Sequence, residues 1–264
     1  MASTNSKTAG LSLVHGLSSD NLKIIALLAM TLYHAADMLF PWWKRYLPDV
    51  SAALLMLFSM GIGMTAMPVI CFLAVEGAYH TKNWKKYLLR VSLWAVPSHI
   101  AYAMATRKPI NPFAAPFIMH TGVLWTISCG IGAFFALKYF RKFRVELMLL
   151  LLALSLYGDW GICAAAAILC MALTRNDFNR QMLSMSLCFC IGLVYTYIRQ
   201  GLALALIQAS FLFSIPVLKR YNGKLCNEGS KPLPSLLFYI YYPAHFLVLA
   251  ALRRCWEWGM GNGE

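Results

Sequence analysis

Long apolar runs separated by short breaks of charge, proline or glycine dominate the sequence. A helix needs about 20 apolar residues to cross the ~30 Å core of a bilayer. Seven runs meet or approach that length: Leu22 to Phe40, Val50 to Tyr79, Tyr87 to Ala105, Phe117 to Leu137, Gln181 to Ile198, Gly201 to Val217 and Leu233 to Leu252. Ser19 and Asp20 introduce the first as capping residues. The second is too long for a simple crossing and contains Gly61, Gly63 and Pro68, so it is expected to break near its middle. Two shorter runs, Val145 to Tyr157 and Trp160 to Leu173, flank Gly158 and Asp159. They read as a hairpin of short helices, giving nine crossings, or as one broken helix, giving eight.

The positive-inside rule separates these readings. With nine crossings and a cytoplasmic N-terminus, fifteen Lys and Arg fall inside, from Lys7 through the clusters Lys82 to Arg90 and Lys138 to Arg144 to Lys231. Seven fall outside: Lys44, Arg45, Arg107, Lys108, Arg199, Arg253 and Arg254. Eight crossings would give twelve against ten. Nine is therefore preferred, with the C-terminus outside; a double crossing within Val50 to Tyr79 would make ten.

Composition fixes the class. Hydrophobic residues make up 60% of the 264 and charged residues only 12%, with a mean hydropathy of +0.61, against about 25% charged in a soluble domain. Too few charges exist to cover a water-facing globule, and the surface must meet lipid. The expected fold is an all-α, polytopic membrane bundle of about nine helices. It is divided into a polar cytoplasmic segment (1–21), one transmembrane domain (22–254) and a short C-terminal tail (255–264). The net charge of +13 is accounted for by orientation, and nucleic acid is not expected as a partner. Of the eight cysteines, six lie in apolar runs without metal-ligand spacing and read as small core residues. The first twenty residues lack the apolar stretch and cleavage site of a signal peptide, so the first helix is expected to stay.

Charge inside a bilayer costs about 3 kcal/mol or more and marks function. Lys23 and His34 are eleven residues apart, about three helical turns, and share a face. Asp37 follows at i+3, where it could orient the His34 ring, and a histidine held by an acid is a general-base arrangement. The bland reading makes His34 a helix-bridging hydrogen bond and Lys23 a residue reaching the interface. Glu76 and Arg90 read equally as site residues or as an ion pair with each other; Asp159 sits at the short-helix corner; His99 and His120 read as interfacial. The last run carries Tyr239, Tyr241, Tyr242, Pro243 and His245, a combination that suggests a polar wall, because proline opens the helix backbone.

Asp20, Lys23, Ala26, Met30 and His34, then Pro68, Phe72 and Glu76-Gly77, then Thr81, Tyr87 and Arg90 resemble the TraX family of F-type pilin acetylases. So do Thr126, Gly158-Asp159-Trp160-Gly161, Phe238-Tyr239 and Tyr242-Pro243-x-His245. The first-helix pattern also resembles the larger superfamily of membrane acyltransferases. Tyr33 stands where the family often has an acid and Met64 where it often has an arginine.

The resemblance implies acetyl transfer from acetyl-CoA, without a metal, to the N-terminal amine of a conjugative pilin subunit inserted in the bacterial inner membrane. It makes His34 the base, with Asp37 behind it and Tyr242 or His245 as donors to the oxyanion. Coenzyme binding is expected from Lys23, Glu76, Arg90 and Asp159, with Lys85, Lys86, Arg141 and Lys142 as phosphate partners unless topology alone explains them. Three alternatives stay open: an O-acyltransferase acting on a glycan or lipid, a proton-coupled transporter using His34, Asp37, Glu76 and Asp159, and a non-catalytic scaffold.

Overall fold

A computed structural model describes residues 16–261 apart from 108, 109, 112, 114, 119, 228 and 230. Lys7, Lys108 and the last three residues lie outside the described residues, as does most of the 1–21 segment. Among the described residues the secondary structure is helical, with two isolated bridges and no strand.

The first helix, α1 (Ser19–Tyr46), takes in its expected capping residues, because the cap lies one residue earlier, at Ser18, whose hydroxyl accepts the Asn21 N–H at 3.3 Å. It runs through Pro41 to Tyr46 instead of stopping at Phe40. The second run is broken as expected, into α2 (Asp49–Gly63) and α3 (Ala66–His80), with the break at Met64 and Thr65. A short link capped by Asn83 leads to α4 (Trp84–Ala105).

The fourth run differs from expectation. Phe117 belongs to a single turn, α5 (Ala115–Ile118), and the long helix α6 begins only at Val123 and ends at Tyr139. Thr121 is held in a bridge to Gly158, its N–H donating to the Tyr157 carbonyl at 2.8 Å, which keeps residues before Gly122 out of the helix. Twelve of the seventeen residues of α6 are buried, so this helix is surrounded by protein. Close approach depends on small residues: a side chain at Gly130 would press on Ile168 and the Ala165 carbonyl, and Ala164, Ala165 and Ala167 are fully buried opposite.

The two short runs form a hairpin. Trp125 of α6 bonds to the Leu154 carbonyl at the end of α7 (Arg144–Leu154), so α6 and α7 are antiparallel. Thr126 of α6 bonds to the Asp159 carbonyl, and Gly130 faces Ala165 and Ile168 of α8 (Gly161–Leu173), so α6 and α8 run parallel. The chain reverses at Trp160 and Gly161, both with positive φ, and Gly158 lies so close to Thr126 that no side chain would fit.

The Asp177 carboxylate caps α9 (Phe178–Gln200). The next run is interrupted: α10 (Leu202–Ala209) passes through a 3-10 turn at Ser210–Phe213 into α11 (Ser214–Lys219). The last helix, α12 (Ser235–Gly261), passes Leu252 and takes in most of the expected 255–264 tail.

Among the described residues five segments are long and apolar enough to cross a membrane: Ser19–Tyr46, Asp49–His80, Phe178–Gln200, Leu202–Lys219 and Ser235–Gly259. The chain is a multi-pass helical membrane bundle. At one end the residues before α1 bond to the link after α11, with the Leu17 N–H on the Arg220 carbonyl at 2.7 Å and the Ser19 N–H on the Lys224 carbonyl at 2.8 Å. Trp84 stacks on Tyr139 there at 4.9 Å, and the Tyr79 hydroxyl donates to the Ala172 carbonyl at 2.7 Å. This is the basic end, carrying Lys82 to Arg90, Lys138 to Arg144, Arg175, Arg180 and Lys219 to Lys231. Among the described residues the far end carries Lys44, Arg45, Arg107, Arg199, Arg253 and Arg254.

Candidate functional site

One stripe of α1 organises the site. Lys23, Leu27, Met30, His34 and Asp37 follow at steps of four, three, four and three residues, the spacing of one helix face. Along this stripe two cavities lie end to end. The basic-end cavity, about 540 Å³, meets Lys23, Leu27 and Met30; the far-end cavity, about 780 Å³, meets Met30, His34 and Asp37.

At the basic end, Lys23 pairs with Asp20 at 2.8 Å and sits 4.9 Å over the Phe238 ring. Asp20 is buried at 5% exposure, and its second oxygen accepts the Leu233 N–H at 2.8 Å, tying α1 to the segment before α12. Arg90 lies over Tyr87 and Tyr239, 5.8 and 5.5 Å from their ring centres, and lines the same cavity.

The expected Glu76–Arg90 ion pair is not formed. Glu76, 7% exposed, is held instead by Arg175 from the link between α8 and α9, which donates Nε to Oε1 at 2.7 Å and its second amino group to Oε2 at 3.1 Å. The reason is geometric: α3 packs directly on α8, which brings the next link under the last turn of α3, while Arg90 is drawn to the aromatic faces of α4 and α12. This forked pair raises the affinity of Arg175 for its proton, chiefly through the hydrogen bond to Glu76. It also turns one carboxylate at the cavity rim into part of a neutral pair, as Asp20 does for Lys23, so that Arg90 sets the local charge.

The clusters expected to bind phosphates are arranged differently. Lys85, Lys86, Arg141 and Lys142 are exposed at the basic end and line neither cavity. Lys85 and Lys142 lie over the rings of Trp84 and Phe143.

Near the middle of the stripe, α12 brings His245 to α1. The His34 and His245 rings are 5.5 Å apart, and Phe246 packs against both, at 4.5 and 4.1 Å. The His245 Nδ1–H donates to the Tyr241 carbonyl at 3.3 Å, which assigns the proton to Nδ1 and leaves Nε2 as the basic nitrogen. Among the described residues Nε2 is buried without a hydrogen bond. Tyr241 also ties the two helices, its hydroxyl 2.8 Å from that of Thr31. Tyr242 is buried and lines the basic-end cavity; its oxygen accepts the Val123 N–H at 3.3 Å, which leaves the hydroxyl proton free to be donated.

Asp37 lines the far-end cavity beside His34, and among the described residues no hydrogen bond joins them. The His34 ring is turned toward Phe246 and His245 on α12 rather than along α1 toward the next turn. Asp159 also lines the far-end cavity, away from the basic clusters with which coenzyme binding grouped it. It accepts the Trp160 N–H on its side chain at 3.1 Å, and its carbonyl accepts from Thr126 at 2.6 Å. The two aspartates are the charged residues on the wall of this cavity, which Tyr33, Tyr102 and Tyr195 share. His120 is exposed as expected, whereas His99 is buried against Phe117 with ring centres 4.1 Å apart. The cysteines form no disulfide among the described residues; Cys71 and Cys129 are buried and Cys190 is exposed.

Sequence reasoning missed Arg175 and Tyr102. Ninety-nine residues separate Arg175 from Glu76, so spacing could not join them. Tyr102 lies one turn before the end of α4 and carried no charge to draw notice.

Fold and site together define a multi-pass membrane protein with two adjoining cavities that share Met30, Ile70 and Val123 as wall, His34 lining the far-end one with the buried His245 behind it. The profile of the TraX protein family matches residues 18–253, and the chain belongs to that family. It is also similar to the probable fimbrial assembly protein FimC, serogroup H1, of Dichelobacter nodosus, at 29% identity over 246 residues, covering 89% of this chain and 96% of that protein. No solved structure matches the chain.

Proposed function

We propose that the protein is a membrane-embedded N-acetyltransferase that moves an acetyl group from acetyl-CoA to the N-terminal amine of a pilin subunit. The observation that carries this reading is the contrast between two adjoining cavities, one with Lys23, Arg90 and the Arg175-paired Glu76 on its wall and the other with His34, Asp37 and Asp159. Arg90, and Lys23 with its charge shared with Asp20, offer N–H donors where an anionic donor would enter, and Asp37 and Asp159 offer carboxylates where an ammonium would arrive. This polarity favours an amine acceptor over the hydroxyl of a glycan or lipid, which gains nothing from two carboxylates. The similarity to a fimbrial assembly protein agrees with a pilin partner.

In this mechanism His34 takes one proton from the acceptor ammonium, gives it up toward His245, and then takes a second from the attacking amine as its nitrogen bonds to the thioester carbonyl carbon. The negative charge on the carbonyl oxygen is met by the Tyr242 hydroxyl, with the α6 N-terminus behind it. When the carbon–sulfur bond breaks, the coenzyme leaves as thiolate and recovers a proton from the histidine. The buried Nε2 of His245, 5.5 Å away between ring centres, gives the displaced proton a second stop.

The arrangement fits nine crossings of the inner membrane, with the N-terminus and basic end cytoplasmic and α12 ending in the periplasm. A cytoplasmic donor and an acceptor exposed at the other face would then meet near His34. The deciding experiment is the intact mass of the mature pilin from cells with and without this protein. An acetyl group on the N-terminal residue, lost when the protein is removed, is expected; no mass difference would sink the reading.

A further inference from the structure

Met30, Ile70 and Val123 line both cavities. They come from three different helices, α1, α3 and α6. Met30 is two turns beyond Lys23 and one turn before His34 on the same stripe, a rise of about 10 Å and about 6 Å respectively. Anything held by its anionic end near Lys23 and reaching toward His34 must pass these side chains. Ile70 and Val123 are β-branched and stiff in a helix, and Val123 is further pinned by the bond from its N–H to Tyr242. Met30 is unbranched and can bend aside. Two stiff side chains and one yielding one on the shared wall are the place where the width of a group passing from one cavity to the other would be set.

We propose that Met30, Ile70 and Val123 form a constriction that sets the width of the acyl group delivered to His34. It admits short, straight acyl groups and excludes branched or aromatic ones. The inference rests on the acyl-transfer reading above and adds to it the residues that choose the acyl group. Size selection of this kind needs no charge: steric rejection in an apolar site changes relative rates by about tenfold or more for a group of one or two carbons. The far-end cavity, at about 780 Å³, is wide enough that it would not itself make the choice.

The test uses the full-length protein in vesicles of phosphatidylethanolamine and phosphatidylglycerol, with a membrane-inserted peptide carrying a free N-terminal amine. Acetyl-CoA, propionyl-CoA, isobutyryl-CoA and benzoyl-CoA are compared as donors. Wild type is expected to transfer acetyl and propionyl groups and to reject the other two. Met30→Ala and Ile70→Ala should each raise the ratio of isobutyryl to acetyl transfer by about tenfold. Leu73→Ala, which widens the basic-end cavity away from the constriction, should leave that ratio unchanged. Met30→Phe should lower acetyl transfer while acetyl-CoA still protects the protein against thermal unfolding. A ratio unchanged in both alanine variants, with wild type active, overturns the constriction. Should one alanine variant fail to accumulate, the other decides. A wild type inactive with every donor overturns the acyl-transfer reading itself.

Discussion

The two cavities share a stripe of α1 and three residues of wall, yet their polar groups are organised in opposite ways. In the basic-end cavity nearly every charge already has an answer: Asp20 holds Lys23, Arg175 holds Glu76, and Tyr87 and Tyr239 flank Arg90. In the far-end cavity polar groups converge on space instead. Asp37 and His34 line it side by side with no hydrogen bond between them among the described residues, and behind the His34 ring the buried His245 Nε2 has none there either. Leaving polar groups unpaired costs stability, so this arrangement is expected where a second molecule completes it. A rigid, pre-paired compartment suits a ligand held at one end, whereas an under-paired one suits the place where protons move.

That contrast is broken most directly at His34. His34→Ala or His34→Gln should lower acetyl transfer by about a thousandfold, the scale of a lost general base, while the protein still accumulates in the membrane. His245→Ala should cost less, because it removes a second stop for the proton and not the first. Equal losses would make the two histidines one unit; full activity in the His34 variants would exclude it as the base. The second-largest effect belongs to the other compartment. Lys23→Ala and Arg90→Ala should each weaken acetyl-CoA binding by about tenfold, near the ~1.5 kcal/mol of a charge-assisted hydrogen bond, with the acceptor KM unchanged. Binding measured by isothermal titration would show it, and unchanged affinity would leave these cations as mere partners of Asp20 and the tyrosines.

Much of this was legible in the sequence because membrane helices are simple to read. Run length and breaker residues pointed to a break near the middle of Val50 to Tyr79, found at Met64 and Thr65, and the balance of loop charges favoured the hairpin about Gly158 and Asp159, found as the reversal at Trp160 and Gly161. The stripe from Lys23 to Asp37 was equally plain, since helical periodicity needs no knowledge of neighbours. What escaped is what only tertiary packing decides. Glu76 found Arg175 rather than Arg90 because α3 packs on α8. Phe117 fell outside α6 because a bridge to Gly158 claims the preceding chain. The basic clusters were visible, but whether a lysine faces a cavity or water depends on the rotation of its helix, and Lys85 and Lys86 face out.

The acidic pair tests the far-end cavity from the acceptor's side. Asp37→Asn and Asp159→Asn should each raise the KM for the amine acceptor by about fivefold, near the ~1 kcal/mol of a partly solvated charge pair, without changing acetyl-CoA affinity. If Asp37 instead served mainly to orient His34, Asp37→Asn would lower kcat and leave KM alone. The split between kcat and KM therefore separates a carboxylate that receives the ammonium from one that positions the base.

The smallest effect is expected from the most conspicuous charges. Lys85, Lys86, Arg141 and Lys142 lie at the basic end without lining its cavity, and exposed charges several ångströms from a ligand are screened over about 10 Å at ordinary salt. Reversing all four to glutamate should therefore shift acetyl-CoA affinity by less than about threefold at physiological ionic strength. The same reversal removes positive charge from the first turn of α4 and from the link between α6 and α7, so its main consequence should appear in orientation rather than in binding. Cysteine labelling reads this: in a background cleared of native cysteines, Lys82→Cys should react only once the inner membrane is opened and Gly259→Cys should react from the periplasm. In the reversed variant a fraction of molecules should lose that sidedness. A large loss of affinity with sidedness intact would instead move the donor's phosphates out of the cavity and onto these four residues.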